Sequence, residues 1–209
     1  MFRRPCPILI LTKHLDVTNC LLVFCEYVQT NYQHPWRASV ISSLRSGVMP
    51  KLWKSANITP VHKGDKKELV ENYRSISLLP IPAKCLEIFV YDAIYDHIFP
   101  YLTEWQHGFV KGTSCATQLI LTHYHWAKAL DGGCQVNVAF LDFSKAFDGV
   151  SHSVLLKKLC SFGVSGSLLR WCESYLTDRR QRVLIDGVSS SWWEACSGVP
   201  QRSDRKSVV

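Results

Sequence analysis

The sequence has no Cys-x-x-Cys pair, no unbroken apolar stretch of about 20 residues, no internal repeat and no low-complexity linker. Each absence excludes something. Nine cysteines, an odd number scattered through apolar stretches, argue against a disulfide framework or a zinc ribbon and predict buried free thiols in a reducing compartment. The apolar run starting at Pro7 breaks at Lys13, and the one starting at Leu21 ends at Glu26. Both are too short for a signal-peptide core or a membrane span, so the expectation is an intracellular protein of nucleus or cytoplasm, neither secreted nor membrane-bound.

What is present is enough for a core. Apolar residues make up 47% of the 209, which excludes wholesale disorder. The formal charge of +7 favours an anionic partner, with nucleic acid ahead of an acidic membrane.

Punctuation divides the chain. Residues 1–35 carry no usable pattern. Pro35 and Gly47 bracket a short helix from Trp36. Ser55 to Val61 reads as a strand, and Pro60 within it points to a sheet edge. Pro82 opens a helix whose Leu86, Phe89, Val90, Ala93 and Ile94 share one face, and Pro100 ends it. Thr113 or Ser114 caps the next helix, which stops at Gly132 and Gly133. Residues 136–143 are apolar on both faces apart from Asn137, the signature of a strand covered on both sides. Ser151 caps a helix running to Gly163, another covers about residues 167–176, and Asp186-Gly187 marks a two-residue hairpin. The sum is an α+β chain.

At the end of the 136–143 stretch stands Asp142. A carboxylate at the tip of a buried strand is costly unless it is paired, hydrogen-bonded or metal-bound. Alone it would be read as a turn or cap residue; its neighbours argue otherwise. The run Phe140-Leu141-Asp142-Phe143-Ser144-Lys145-Ala146-Phe147-Asp148, followed by Val150 and His152, resembles the first catalytic motif of reverse transcriptases of non-LTR retrotransposons. Other motifs follow in the family's order: Trp53-Lys54, Ile58-Thr59-Pro60-Val61, Lys63-Gly64-Asp65 and Asn72-Tyr73-Arg74-Ser75-Ile76-Ser77-Leu78 upstream, then Gln106-His107-Gly108-Phe109. Arg179, Gln181-Arg182-Val183 and Ser197-Gly198-Val199-Pro200-Gln201 lie downstream. The resemblance spans about residues 36–201 and is nearest to jockey-like or CR1-like elements.

The resemblance implies a right-hand polymerase fold, with fingers over 36–133 and a partial palm over 134–201 whose central antiparallel sheet packs on helices. The segment 202–209 departs from the pattern, since Arg202 stands where the family has glycine. The implied partners are an RNA template, a DNA primer and dNTPs, with no membrane and no disulfide-linked partner. The implied cofactor is a pair of Mg²⁺ ions. Two such ions about 3.5–4 Å apart repel by roughly 15–20 kcal/mol at an effective dielectric of about 20, so several anionic oxygens must surround them. Asp142 would supply one carboxylate and Phe143 a backbone carbonyl. Phe147 would sit beneath the incoming sugar and reject a 2′-hydroxyl. Arg74, with Lys63 as a second candidate, would grip the triphosphate. Lys66 and Lys67 are assigned to a solvated face or to template phosphates, Gln201 would pack beside the nucleotide and template base, and Asp148 is assigned a structural role.

The family's second motif, an aromatic residue followed by two aspartates on a hairpin, occurs nowhere in the sequence. The expectation is a fragment without polymerase activity of its own. Its alternative is a non-catalytic nucleic-acid-binding remnant of a decayed mobile element. The polymerase reading hangs on Asp142 as a magnesium ligand, and an Asp142 turned to solvent, away from Phe147 and Arg74, would overturn it.

Overall fold

A computed structural model describes residues 37–200, with Asp65 excepted. The readings for residues 1–35 and 202–209, and the assignment of Gln201, lie outside the described residues. Those described form five α-helices and one five-stranded sheet.

Helix α1 (Arg37–Ser46) stops where the sequence places glycine. Gly47 is left-handed at φ 70°, and the Val48 N–H reaches back to the Ser43 carbonyl at 3.1 Å, a Schellman closure. The end of α1 is then stitched to α5 (Gly166–Leu176). The Trp171 indole N–H donates to the Ser43 hydroxyl at 3.1 Å, and the Met49 N–H donates to the Ser174 hydroxyl at 3.0 Å. A side chain on Gly47 would meet the Ser167 carbonyl at 2.8 Å, so the close approach of the two helices itself requires glycine.

Strand β1 (Ser55–His62) and β2 (Tyr73–Leu78) form an antiparallel pair from Asn57↔Leu78 to His62↔Tyr73. On the other side β1 runs parallel to β3 (Arg180–Ile185), from Ser55↔Arg180 to Ile58↔Val183. The sheet is therefore mixed, which corrects the expectation of an antiparallel one. A parallel pair needs a long crossover, and the helices between β1 and β3 provide it. The edge position expected for β1 is also corrected: β1 is interior, and Pro60 is tolerated because its pairing with β3 ends at Ile58. Strands β4 (Val188–Ser189) and β5 (Trp193–Glu194) line the free edge of β3. The β3–β4 turn is the expected Asp186-Gly187, with both residues at positive φ (48° and 83°), as a type I′ hairpin demands.

Helix α2 (Ile81–Ile98) begins behind Pro80, with Pro82 in its first turn, and buries Ala83, Leu86, Phe89, Val90 and Ala93. These pack with Val40 and Leu44 of α1, and with Val164, Leu168 and Trp171 at and within α5, into the core. Helix α4 (His152–Ser161) packs on α5. Helix α3 (Cys115–Asp131) has a reciprocal capping box between Ser114 and Thr117. It buries no residue, and Leu119, Ile120 and Tyr124 face out.

The strand expected at 136–143 is not formed. The segment pairs with no described strand, and Phe140, Leu141 and Phe143 are 87%, 90% and 82% exposed. A strand apolar on both faces is stable only between two covering layers, and no described element supplies either one. The thiol reading needs a similar correction. The six described cysteines are free, but only Cys172 is buried and Cys85 half-buried, while Cys115, Cys134, Cys160 and Cys196 are exposed. Cys115 opens the uncovered α3 and Cys134 follows it, while Cys160 is an exposed residue of α4. No helix among the described residues is long and apolar enough to cross a membrane.

Candidate functional site

After residue 143 the chain folds into a tight turn. Lys145 is left-handed at φ 52°, and its carbonyl accepts from the N–H groups of Asp148 and Gly149, both at 3.0 Å. Onto this turn lies a strap, residues 197–200, brought back from the far end of the sheet. The Gly198 N–H donates to the Val150 carbonyl at 2.9 Å and the Val199 N–H to the Phe147 carbonyl at 3.0 Å. The Ser197 hydroxyl donates to the Asp148 carbonyl at 3.1 Å. His152, the first residue of α4, places Nε2 2.8 Å from the Gly198 carbonyl. Two sequence motifs some fifty residues apart thus become one structural unit.

Phe147 faces the loop between α2 and α3. Its ring meets that of Phe109 edge-on at 5.9 Å and 76°. Phe109 holds a left-handed backbone at φ 61°, unusual for a bulky residue and a mark of local constraint. The loop is tied down nearby, where the Lys111 N–H donates to the Tyr95 hydroxyl at 2.8 Å and its ammonium lies 3.3 Å from Asp92.

Beside the turn and strap opens a groove of about 660 Å³. Ile58, Ser75 and Ser77 contribute from β1 and β2; residues 179–183 and Trp193 form one side; Asp148 and residues 198–200 form the other. Arg179 is 5% exposed, its guanidinium stacks 4.6 Å over the Tyr175 ring, and Nη1 donates to the Tyr175 carbonyl at 3.1 Å. That carbonyl belongs to the last turn of α5, where a cation complements the helix dipole. Arg182 donates to Asn57 Oδ1 at 2.9 Å and lies 4.6 Å over the Trp192 ring. Beneath, burial lowers the pKa of the Lys54 ammonium, a loss that Asp178 at 4.0 Å only partly offsets. Burial, reinforced by Glu87 2.6 Å away, pushes the Tyr175 phenol well above its ordinary value.

The residues singled out in the sequence are only partly gathered. Phe147 stands at the centre of the turn, and Gln201 directly follows Pro200, which lines the groove. Lys63 is exposed, and its N–H closes the β1–β2 pair on the Asn72 carbonyl at 2.9 Å. Arg74 is exposed on β2, and alternation along the strand puts it on the face away from Ser75 and Ser77. Asp142 is exposed, with no hydrogen-bond or ion-pair partner among the described residues, which corrects the buried strand tip expected for it. Phe143 stands equally open. No group of three His, Cys, Asp or Glu side chains able to hold a metal occurs among the described residues. One open carboxylate does not fit a two-ion centre.

Sequence reasoning gave no role to His152, Gly198 or Arg179. In the sequence the run Arg179-Arg180-Gln181-Arg182 carries family motifs but nothing that assigns each side chain its place. Its one legible signal is the position of Arg179 just past a helix end.

The reverse transcriptase (RNA-dependent DNA polymerase) family profile matches residues 61–201. The chain belongs to that family. Its relatives come from non-LTR retrotransposons. It is 36% identical over 166 residues to the "Probable RNA-directed DNA polymerase from transposon BS" of Drosophila melanogaster, covering 77% of this chain. It is 33% identical over 165 residues, 78% of this chain, to the RNA-directed DNA polymerase from mobile element jockey of Drosophila melanogaster and equally to that of Drosophila funebris. The chain spans 18% of the length of each of these relatives. With Asp142 exposed, membership rests on these matches and not on the geometry of that carboxylate.

Proposed function

We propose that this chain is the nucleotide- and template-holding part of an RNA-directed DNA polymerase, with fingers over 36–133 and a partial palm over 134–201. The observation that carries the reading is the union of the Phe147 turn with the 197–200 strap beside a groove rimmed by Arg180 and Arg182. In this reading the groove takes the template strand and the incoming dNTP, and Phe147 excludes a ribose hydroxyl. Gln201 packs against the base; Arg74 and Lys63 keep the triphosphate role that the resemblance implies, from the β1–β2 hairpin outside the groove lining, with Arg74 on the sheet face opposite Ser75 and Ser77. Asp142 and the Phe143 carbonyl are assigned as oxygen donors of the family's Mg²⁺ centre, which in the family also takes the paired aspartates of the second motif, a motif absent from this sequence. The 209-residue chain alone then binds its partners without joining nucleotides.

A second reading, a nucleic-acid-binding remnant without catalysis, is favoured by the exposure of Asp142 and by the arginine–tryptophan surface of β3 and its neighbours. The two readings separate in one set of assays. Primer extension with Mg²⁺ should give no product, and an RNA–DNA primer–template should bind with affinity falling steeply between about 50 and about 200 mM salt. Binding that is strengthened by the dNTP matching the template base supports the first reading; binding indifferent to dNTP supports the second. Absence of binding at low salt sinks both.

A further inference from the structure

We propose that His152 is a positioning residue: its Nε2–H latches the 197–200 strap onto the Phe147 turn and so fixes Pro200, at the groove, relative to Phe147. The chemistry of the contact assigns the proton. The Gly198 carbonyl can only accept, so at 2.8 Å Nε2 must be the donor. The ring is half-buried and comes from the first turn of α4, whose Leu155 and Leu159 line an apolar cavity of about 270 Å³ that Val199 also lines. One helix therefore meets the strap through an imidazole on a carbonyl and shares an apolar cavity with its Val199.

The strap has few other ties: two backbone hydrogen bonds and the Ser197 hydroxyl join it to the turn. Gly198 is buried and left-handed at φ 81°, a conformation with high backbone freedom when released. His152 is the one described side chain from a packed helix that hydrogen-bonds the Gly198 peptide, tying a flexible glycine to a rigid element. The latch stands on this geometry alone; its consequence for nucleotide selection rests on the function proposed above.

Amide hydrogen exchange on the full chain tests it. In the parent, Gly198 and Val199 should be protected, and the imidazole nitrogen signals should report the Nε2–H tautomer. His152→Ala should speed exchange at both amides about tenfold while leaving Leu168 and Trp171 of α5 protected. His152→Gln, whose amide nitrogen can reach the place of Nε2, should restore protection to within about twofold, and His152→Asn should not. Exchange unchanged in His152→Ala, an Nδ1–H tautomer, or equal behaviour of Gln and Asn would each overturn the latch. Should the alanine variant lose protection throughout α5, the Gln–Asn contrast still decides. A parallel titration with dNTP and rNTP separates the two claims: a parent chain that binds neither defeats the proposed function and leaves the latch to the exchange data.

Discussion

Gly198 lies against the backbone of Asp148 so closely that a Cβ would sit 2.9 Å from both the Asp148 Cα and its carbonyl oxygen. Those are backbone atoms, and the Phe147 carbonyl at 3.0 Å closes the third side. Gly198→Ala therefore meets two penalties, a clash that no rotamer relieves and a side chain at positive φ. Together they should cost about 2–4 kcal/mol of strap stability. Amide exchange at Val199 is the measurement. An alanine variant as protected as the parent would show that the strap does not dock as described.

What could be read from the sequence divides along the range of the interactions. The Asp186-Gly187 hairpin and the α2 face were legible because each is fixed within a few residues, by positive φ in one case and helical spacing in the other. The parallel pairing of β1 with β3 was not, since nothing in Ser55 to Ile58 names a partner beyond Arg180. The docking of residues 197–200 on residues 147–150 was hidden for the same reason: both motifs stood out, but their contact is long-range. Residues 136–143 show the converse. Their pattern is that of a covered strand, yet pattern creates no layers, and among the described residues none covers them.

That segment allows a direct comparison of pattern and structure. Phe140 and Leu141 are nearly fully exposed, so Phe140→Ser with Leu141→Ser should change stability by no more than about 0.5 kcal/mol. The same pair should raise solubility, because an open apolar edge favours association. Urea unfolding and light scattering read the two effects. A loss above about 2 kcal/mol would restore the buried strand that the sequence suggests.

Tyr175 gives the fold a pH signature. Burial and the nearby Glu87 carboxylate raise its phenol well above the ordinary 10.0. The folded state therefore holds this proton in a range where the unfolded state has released it. The contribution is fully present below pH 10 and is lost as pH rises from there through the folded value. Lys54 runs the other way, since its lowered pKa makes stability rise toward its ordinary 10.5. Comparing the parent with Tyr175→Phe isolates the phenol. The variant should be about 1–2 kcal/mol less stable at neutral pH through loss of the 2.6 Å bond to Glu87, and the gap should narrow in alkali. A gap that widens above pH 10 would contradict the assigned direction.

Arg180, Arg182 and Trp193 carry the last prediction, because they decide whether the groove holds a nucleic-acid strand. Arg180 and Trp193 are exposed along it, and Arg182 is held in place by Asn57 and Trp192. If a strand lies there, Arg180→Ala or Arg182→Ala should each reduce the slope of log affinity against log salt by about 0.7–0.9, the contribution of one phosphate contact. Trp193→Ala should instead weaken binding by about 1–3 kcal/mol and leave the slope unchanged, since stacking on a base releases no counterion. Lys157→Ala, on the exposed side of α4 away from the groove lining, serves as the control for unspecific loss of charge. Equal slopes for the arginine variants and the parent would place the bound strand elsewhere on the molecule, and a slope change in the Lys157 variant as large as theirs would reduce the groove to general basicity.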